Sequence, residues 1–146
     1  WSAHADTLTG RVVGVADGDT LTLLVDEHDQ VKVRLNAIDT PEKAQPFGHR
    51  AKQALSALCF DRQAQVEVSG RDRYGRSIGD VSCDGVPANA ELVREGMAWV
   101  YRKYAPAGSP LYGLEEEARS ARRGLWVDPD PVPPREWRAE RRARVR

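Results

Sequence analysis

Apolar and polar residues alternate most cleanly over residues 31–36. Val31, Val33 and Leu35 fall on one side of an extended strand, and Lys32, Arg34 and Asn36 on the other. The same period predicts a first strand over residues 7–15. It predicts a second over 20–25, where Leu21, Leu23 and Val25 alternate with Thr20, Thr22 and Leu24. Asp17-Gly18 is a strong turn signal between them. Ala64, Val66 and Val68 mark a fourth strand, and residues 77–83 a fifth. In between, the period changes. Ala51, Ala54, Leu55, Leu58 and Cys59 recur at helical spacing and predict a helix over 48–60 with a core-facing stripe. Asn89 is placed to cap a short helix running to Glu95, closed by Gly96. A last helix is predicted over about 111–123, ended by Gly124, with Trp126 docked on its end. Strands two and three form a hairpin. With its turn centred near His28, Thr22 faces Arg34 and Thr20 faces Asn36. That register brings Asp19 and Asp39 together at one end of the hairpin.

The chain of 146 residues, 40% apolar and 30% charged, suits one globular domain with a real core. No apolar run is long enough to span a bilayer, so no membrane partner is expected. Formal charge is zero, but residues 135–146 hold six Arg against two Glu, which leaves −4 on the rest. That is an odd profile for a simple electrostatic DNA binder and a tolerable one for an enzyme that holds a cation with carboxylates. Residues 6–127 read as the domain. Residues 128–134 form a stiff Pro-rich segment, and the Arg-rich end reads as solvated or disordered, with nucleic-acid contact as the minor alternative. Ala3-His4-Ala5 has the small-x-small form of a signal-peptidase site, which would make residues 1–5 a signal-peptide remnant and Asp6 the first mature residue.

The third strand runs into Ile38-Asp39-Thr40-Pro41-Glu42, where Pro41 stops it and keeps Thr40 extended. Residues 34–42 thus offer an arginine, two carboxylates and a fixed backbone carbonyl, a set suited to a hard cation and a phosphate together. Alone, the segment reads more simply as a surface strand with an acidic turn. Two further segments change that: Asp17-Gly18-Asp19-Thr20 upstream, and Asp72-Arg73-Tyr74-Gly75-Arg76 downstream. In this order, the three resemble the staphylococcal nuclease (thermonuclease-like) family. The likeness continues through Asn89, Leu92-Val93, Trp99-Val100-Tyr101 and Gly124-Leu125-Trp126.

The resemblance implies an α+β fold, a five-stranded OB-type barrel with three helices. It also implies a Ca²⁺-dependent, monomeric nuclease that hydrolyses DNA and RNA and leaves 3′-phosphate and 5′-hydroxyl ends. By the same likeness Asp19, Asp39 and the Thr40 carbonyl bind Ca²⁺, an all-oxygen set that suits a hard cation. Glu42 orients or deprotonates the attacking water. Arg34 and Arg76 bind the scissile phosphate and the charge that grows on it. Arg73 and Tyr74 match positions that contact a neighbouring phosphate, and Trp99 and Tyr101 positions that flank a base. The chain departs from the founding member in a shorter loop between Glu42 and Phe47, in Trp99 where that protein has tyrosine, and in a shorter loop after the fourth strand. In the resembled fold the first helix packs near the fifth strand, so Cys59 and Cys83 come within bridging distance. Two buried thiols are the alternative. A bridge, like the Ala3-His4-Ala5 pattern, points to a periplasmic or secreted protein. The rival function is a catalytically silent OB module that binds nucleic acid or protein. His4, His28 and His49 read as solvated, Asp17 as a turn former, and Trp126 and Trp137 as packing residues.

Overall fold

The computed structural model describes residues 6–145; Ala3-His4-Ala5 and the proposed remnant lie outside them. Strands β1 (Asp6–Asp17), β2 (Thr20–Val25), β3 (Asp29–Leu35), β5 (Gln63–Arg71) and β6 (Ser77–Cys83) build the body, with short pieces β4 (Ile38–Asp39), β7 (Val86–Pro87) and β8 (Trp99–Val100). The order is β3-β2-β1-β5-β6-β7. β1 pairs antiparallel with both β2 and β5. A parallel seam, Val33↔Ser77, Arg34↔Ile78 and Leu35↔Gly79, closes β3 on β6. The five long strands therefore form a closed barrel, and the α+β OB-type expectation holds. Val12, Leu21, Leu23, Val33, Leu35, Val66 and Val81 fill it, each at most 1% exposed. They are the inward members of the alternating runs, and their burial drives closure.

Helix α1 (Gly48–Cys59) buries Ala51, Leu55 and Cys59, three members of the predicted stripe. Its end is bonded covalently to β6 through a Cys59–Cys83 disulfide. α2 (Ala88–Arg94) buries Leu92 and Val93, and α3 (Leu111–Ser120) buries Ala118 and Glu115. The Glu115 carboxylate accepts the Val100 N–H at 2.8 Å and so fixes β8.

Four features differ from the sequence reading. The hairpin register is shifted by two, so Thr20 rather than Thr22 faces Arg34. Asp26 and Glu27 take positive φ, 53° and 64°, and this tight turn centres on Glu27, not His28. Asn89 does not cap α2. It is buried, accepts the Val81 N–H at 2.9 Å and donates to the Asn36 carbonyl at 2.9 Å, joining β6 to the chain after β3. α3 ends before residue 123, because Arg122 already takes φ 55° and Arg123 N–H closes on the Ala118 carbonyl. Finally, the described residues form four α-helices rather than three. The Arg-rich end forms α4 (Pro134–Val145). Pro134 opens it, a position where its missing N–H costs nothing. Glu136 lies in its first turn and Arg142 and Arg144 in its last, as the helix dipole favours.

Candidate active site

Asp19, Arg34, Asp39, Thr40, Glu42, Tyr74 and Arg76 line one pocket of about 310 Å³, joined by Asp17 and Arg138. The site begins at the β1–β2 turn. A Cβ on Gly18 would lie 2.8 Å from Thr40 Oγ1 and 2.7 Å from Ala51 Cβ, so only glycine lets this turn sit against the Thr40 segment and α1. Asp19 is then held on every side. Its N–H donates to Asp17 Oδ1 (3.2 Å), its carbonyl accepts from Leu35 N–H (2.9 Å), Oδ2 accepts from Thr40 N–H (3.1 Å), and Oδ1 accepts from Thr20 Oγ1 (3.2 Å). Asp19 and Asp39 are each 7% exposed and Thr40 4%.

Arg34 lies between the two aspartates. Nη1 is 3.4 Å from Asp19 Oδ2 and Nη2 is 3.5 Å from Asp39 Oδ1. Nη1 also donates to the carbonyls of Leu35 (2.7 Å) and Ile38 (2.9 Å). The strand end and the following turn thus fix a planar cation. Arg76 approaches from the loop before β6. Asp72 accepts its Nε at 2.6 Å, its backbone N–H at 3.0 Å and the Tyr74 N–H at 2.9 Å. Burial opposes the Asp72 charge, but these bonds outweigh it and hold the carboxyl below its ordinary range. Arg76 Nη1 reaches Thr20 Oγ1 at 3.5 Å. Glu42 belongs to a tight turn in which its N–H donates to Gln45 Oε1 at 3.0 Å. Its own carboxylate accepts from Arg138 Nη1 at 2.5 Å.

The positions expected to contact a neighbouring phosphate or a base are less uniform. Tyr74 is 69% exposed, with Arg73 and Arg76 guanidiniums 5.1 and 5.7 Å from its ring. It is an exposed ring on the pocket wall. Arg73 lies outside the pocket lining and donates to the Tyr74 hydroxyl at 2.9 Å. Trp99 corrects the expectation: it is 8% exposed, packed edge-on against Trp126 with ring centroids 5.8 Å apart. It shares a small core with Ala118 and Leu125 and borders the larger groove, so little of its ring is open to a base. Trp126 packs as expected. Tyr101 lines a second groove of about 800 Å³ that runs from Asp39 under the strap 128–134, with its ring edge-on to Tyr104.

Among the described residues no group of three or more His, Cys, Asp or Glu side chains is placed to hold a metal. A cation here must therefore draw on backbone oxygen and water besides two aspartates. That is what a hard divalent cation accepts. The donor set fits one: two buried carboxylates share a pocket and need positive charge. Burial, then the Asp19 charge, pushes Asp39 up to about 6. Burial, then Asp19, pushes Asp17 up to about 7. Both raised groups hold more protons in the folded state than in the unfolded one between about pH 4 and 7. Their stabilising contribution is present below about 4 and is lost as pH rises through 6 to 7. In EDTA the melting temperature should accordingly fall as pH goes from 4.5 to 7.5, and Asp17→Asn should flatten the fall. A wild-type melting temperature that rises across this window would refute the assignment.

Two site residues were not foreseen as such. Asp17 was legible only as a turn former, since nothing in Asp17-Gly18-Asp19 says that both carboxylates face inward. Arg138 had no signal, because its helix lacks an apolar stripe.

A model of the family described as staphylococcal nuclease homologue matches residues 32–128. The chain is 46% identical over 143 residues to Protein ParB of Escherichia coli, covering 91% of this chain and 80% of that protein. It is 43% identical over 139 residues to a micrococcal nuclease of Shigella flexneri (88% and 79% covered). It is 41% identical over 133 residues to an uncharacterized endonuclease of Haemophilus influenzae (90% and 74% covered).

Proposed function

The chain belongs to the staphylococcal nuclease family, and from that premise we propose that it is a Ca²⁺-dependent nuclease hydrolysing DNA and RNA with little sequence preference. The observation that carries this reading is the placement of Arg34 between Asp19 and Asp39 in one pocket with Glu42 and Arg76. A binding module needs the arginines but not three carboxylates beside them.

In this reading Asp19, Asp39 and the Thr40 carbonyl hold Ca²⁺. The bound ion would polarise a phosphoryl oxygen and lower the barrier to anionic attack. Glu42 orients a water molecule and takes its proton. The water oxygen bonds to phosphorus while the bond to the 5′ oxygen breaks; that oxygen leaves with the bonding pair and takes a proton from solvent water, which gives a 3′-phosphate and a 5′-hydroxyl. Arg34 and Arg76 bind two oxygens of the phosphoryl group, and their N–H groups shorten onto it as its charge grows. Tyr74, Arg73 and Tyr101 contact the neighbouring phosphate and base. In this reading the enzyme acts as a monomer. The disulfide supports a periplasmic or secreted setting.

The test is incubation with single-stranded DNA and with RNA, in Ca²⁺ and then in EGTA. Cleavage in Ca²⁺ that stops in EGTA is expected, with 3′-phosphate ends by mass spectrometry. Undiminished cleavage in EGTA would reject the metal assignment. Binding without cleavage in any divalent metal would favour the silent module.

A further inference from the structure

The basic end of the chain is folded into the pocket. Arg138 of α4 hydrogen-bonds Glu42 and lies 3.6 Å from Asp39 Oδ2. The charges alternate: Arg34 bridges Asp19 and Asp39, and Arg138 bridges Asp39 and Glu42. This placement is built. Gln45, 6% exposed, accepts the Glu42 N–H with its side-chain oxygen and donates to the Val132 carbonyl with its nitrogen. One buried amide therefore sets the strap, and with it α4, against the turn that carries Glu42.

We propose that Arg138 is a third substrate-binding arginine, brought to the pocket by the C-terminal helix, which binds the same nucleic-acid phosphate as Arg34 and Arg76. The proposal rests on the nuclease reading for the identity of that phosphate. Charge balance argues for it. Four carboxyl groups line the pocket, against Arg34 and Arg76 from the barrel. The carboxyl groups outnumber those two arginines, and Arg138 adds a third positive charge that favours an incoming phosphodiester. Donor capacity argues for it too. The bond to Glu42 takes one of five guanidinium N–H groups, and the side chain is 39% exposed, so donors remain for an oxyanion. A cation that takes up the charge of Asp39 would loosen the longer of its two contacts.

The test is binding of a fluorescein-labelled phosphorothioate single-stranded octamer, by anisotropy, in Ca²⁺ and in EDTA over a range of salt. Arg138→Ala is expected to weaken binding about tenfold. It should lower the slope of log affinity against log salt by roughly 0.7, the loss of one phosphate contact. Arg138→Lys should recover the slope but only part of the affinity. Arg141→Ala, exposed on the same helix, should change neither. Unchanged or tighter binding in Arg138→Ala would overturn the proposal and make the contact a latch over Glu42. An equal loss in Arg141→Ala would overturn it as well, since the tail would then act by diffuse attraction. The two readings fail separately: the nuclease reading is judged by cleavage of an unmodified strand, and Arg138 by this comparison alone.

Discussion

Arg34→Ala is expected to slow strand cleavage about 10²–10³-fold, a loss on the order of 3–4 kcal/mol of transition-state stabilisation. The guanidinium is pre-set by four contacts, two to carbonyls and two to carboxylates. It therefore reorganises little as charge builds on the phosphoryl oxygens, and that preorganisation makes its removal costly. If Asp19 and Asp39 hold Ca²⁺ as proposed, stability should suffer less in its presence, because the ion would offset the charge that Arg34 leaves behind. Without metal the two aspartates are left facing each other, and the melting temperature should drop further. Arg34→Lys should also be poor, since one ammonium cannot reach both carbonyls and both aspartates. Single-turnover rates and melting curves, with and without Ca²⁺, check this. Near-normal turnover in Arg34→Lys would mean that a point charge suffices.

The second large effect concerns stability. Cys59 and Cys83 are separated by 24 residues in sequence and bonded in the folded chain, at 0% and 1% exposure. In the chain-entropy account a loop of this size adds about 3 kcal/mol by restricting the unfolded state. The bond joins the end of α1 to the last residue of β6, which pairs with Ala64 at the start of β5. It thereby clamps the helix to the barrel where the chain turns back. The double variant Cys59→Ala/Cys83→Ala should lose about 3 kcal/mol in urea unfolding, with a melting temperature lower by roughly 10 °C for a domain of this size. Its cleavage rate at low temperature should be kept, because neither sulfur lines the pocket. An unchanged urea midpoint would show that the helix is held by packing alone.

The candidate pocket was legible where local pattern and chemistry coincide. Alternation placed Arg34 opposite a buried face, and the turn signals on either side brought Asp19 and Asp39 together. That convergence survived a register error of two because both aspartates lie at the same hairpin end. Asn89 was misjudged since capping and a buried tertiary bond call for the same side chain. Trp99 was ambiguous for a related reason: an aromatic near a site can stack on a base or fill a core, and its packing against Trp126 is visible only in the fold. Arg138 was out of reach. A helix of Arg, Glu and Ala with Trp137 as its large apolar residue has no periodicity to expose its docked side. Its position comes from Gln45, over eighty residues away.

The seam that closes the barrel has a consequence for timing. Residues 33–35 and 77–79 must meet from far apart in sequence, whereas the β1–β2–β3 meander and the β5–β6 hairpin are local. Long-range parallel pairing is a slow kind of event in folding. Arg34 lies on one side of this seam, and Arg76 directly precedes the strand on the other. A chain that has formed both local halves but has not joined them holds Arg34 and Arg76 apart, so a site that uses both, as proposed, stays unassembled. If the two arginines act as proposed, a partly folded chain cannot cleave nucleic acid before this seam closes.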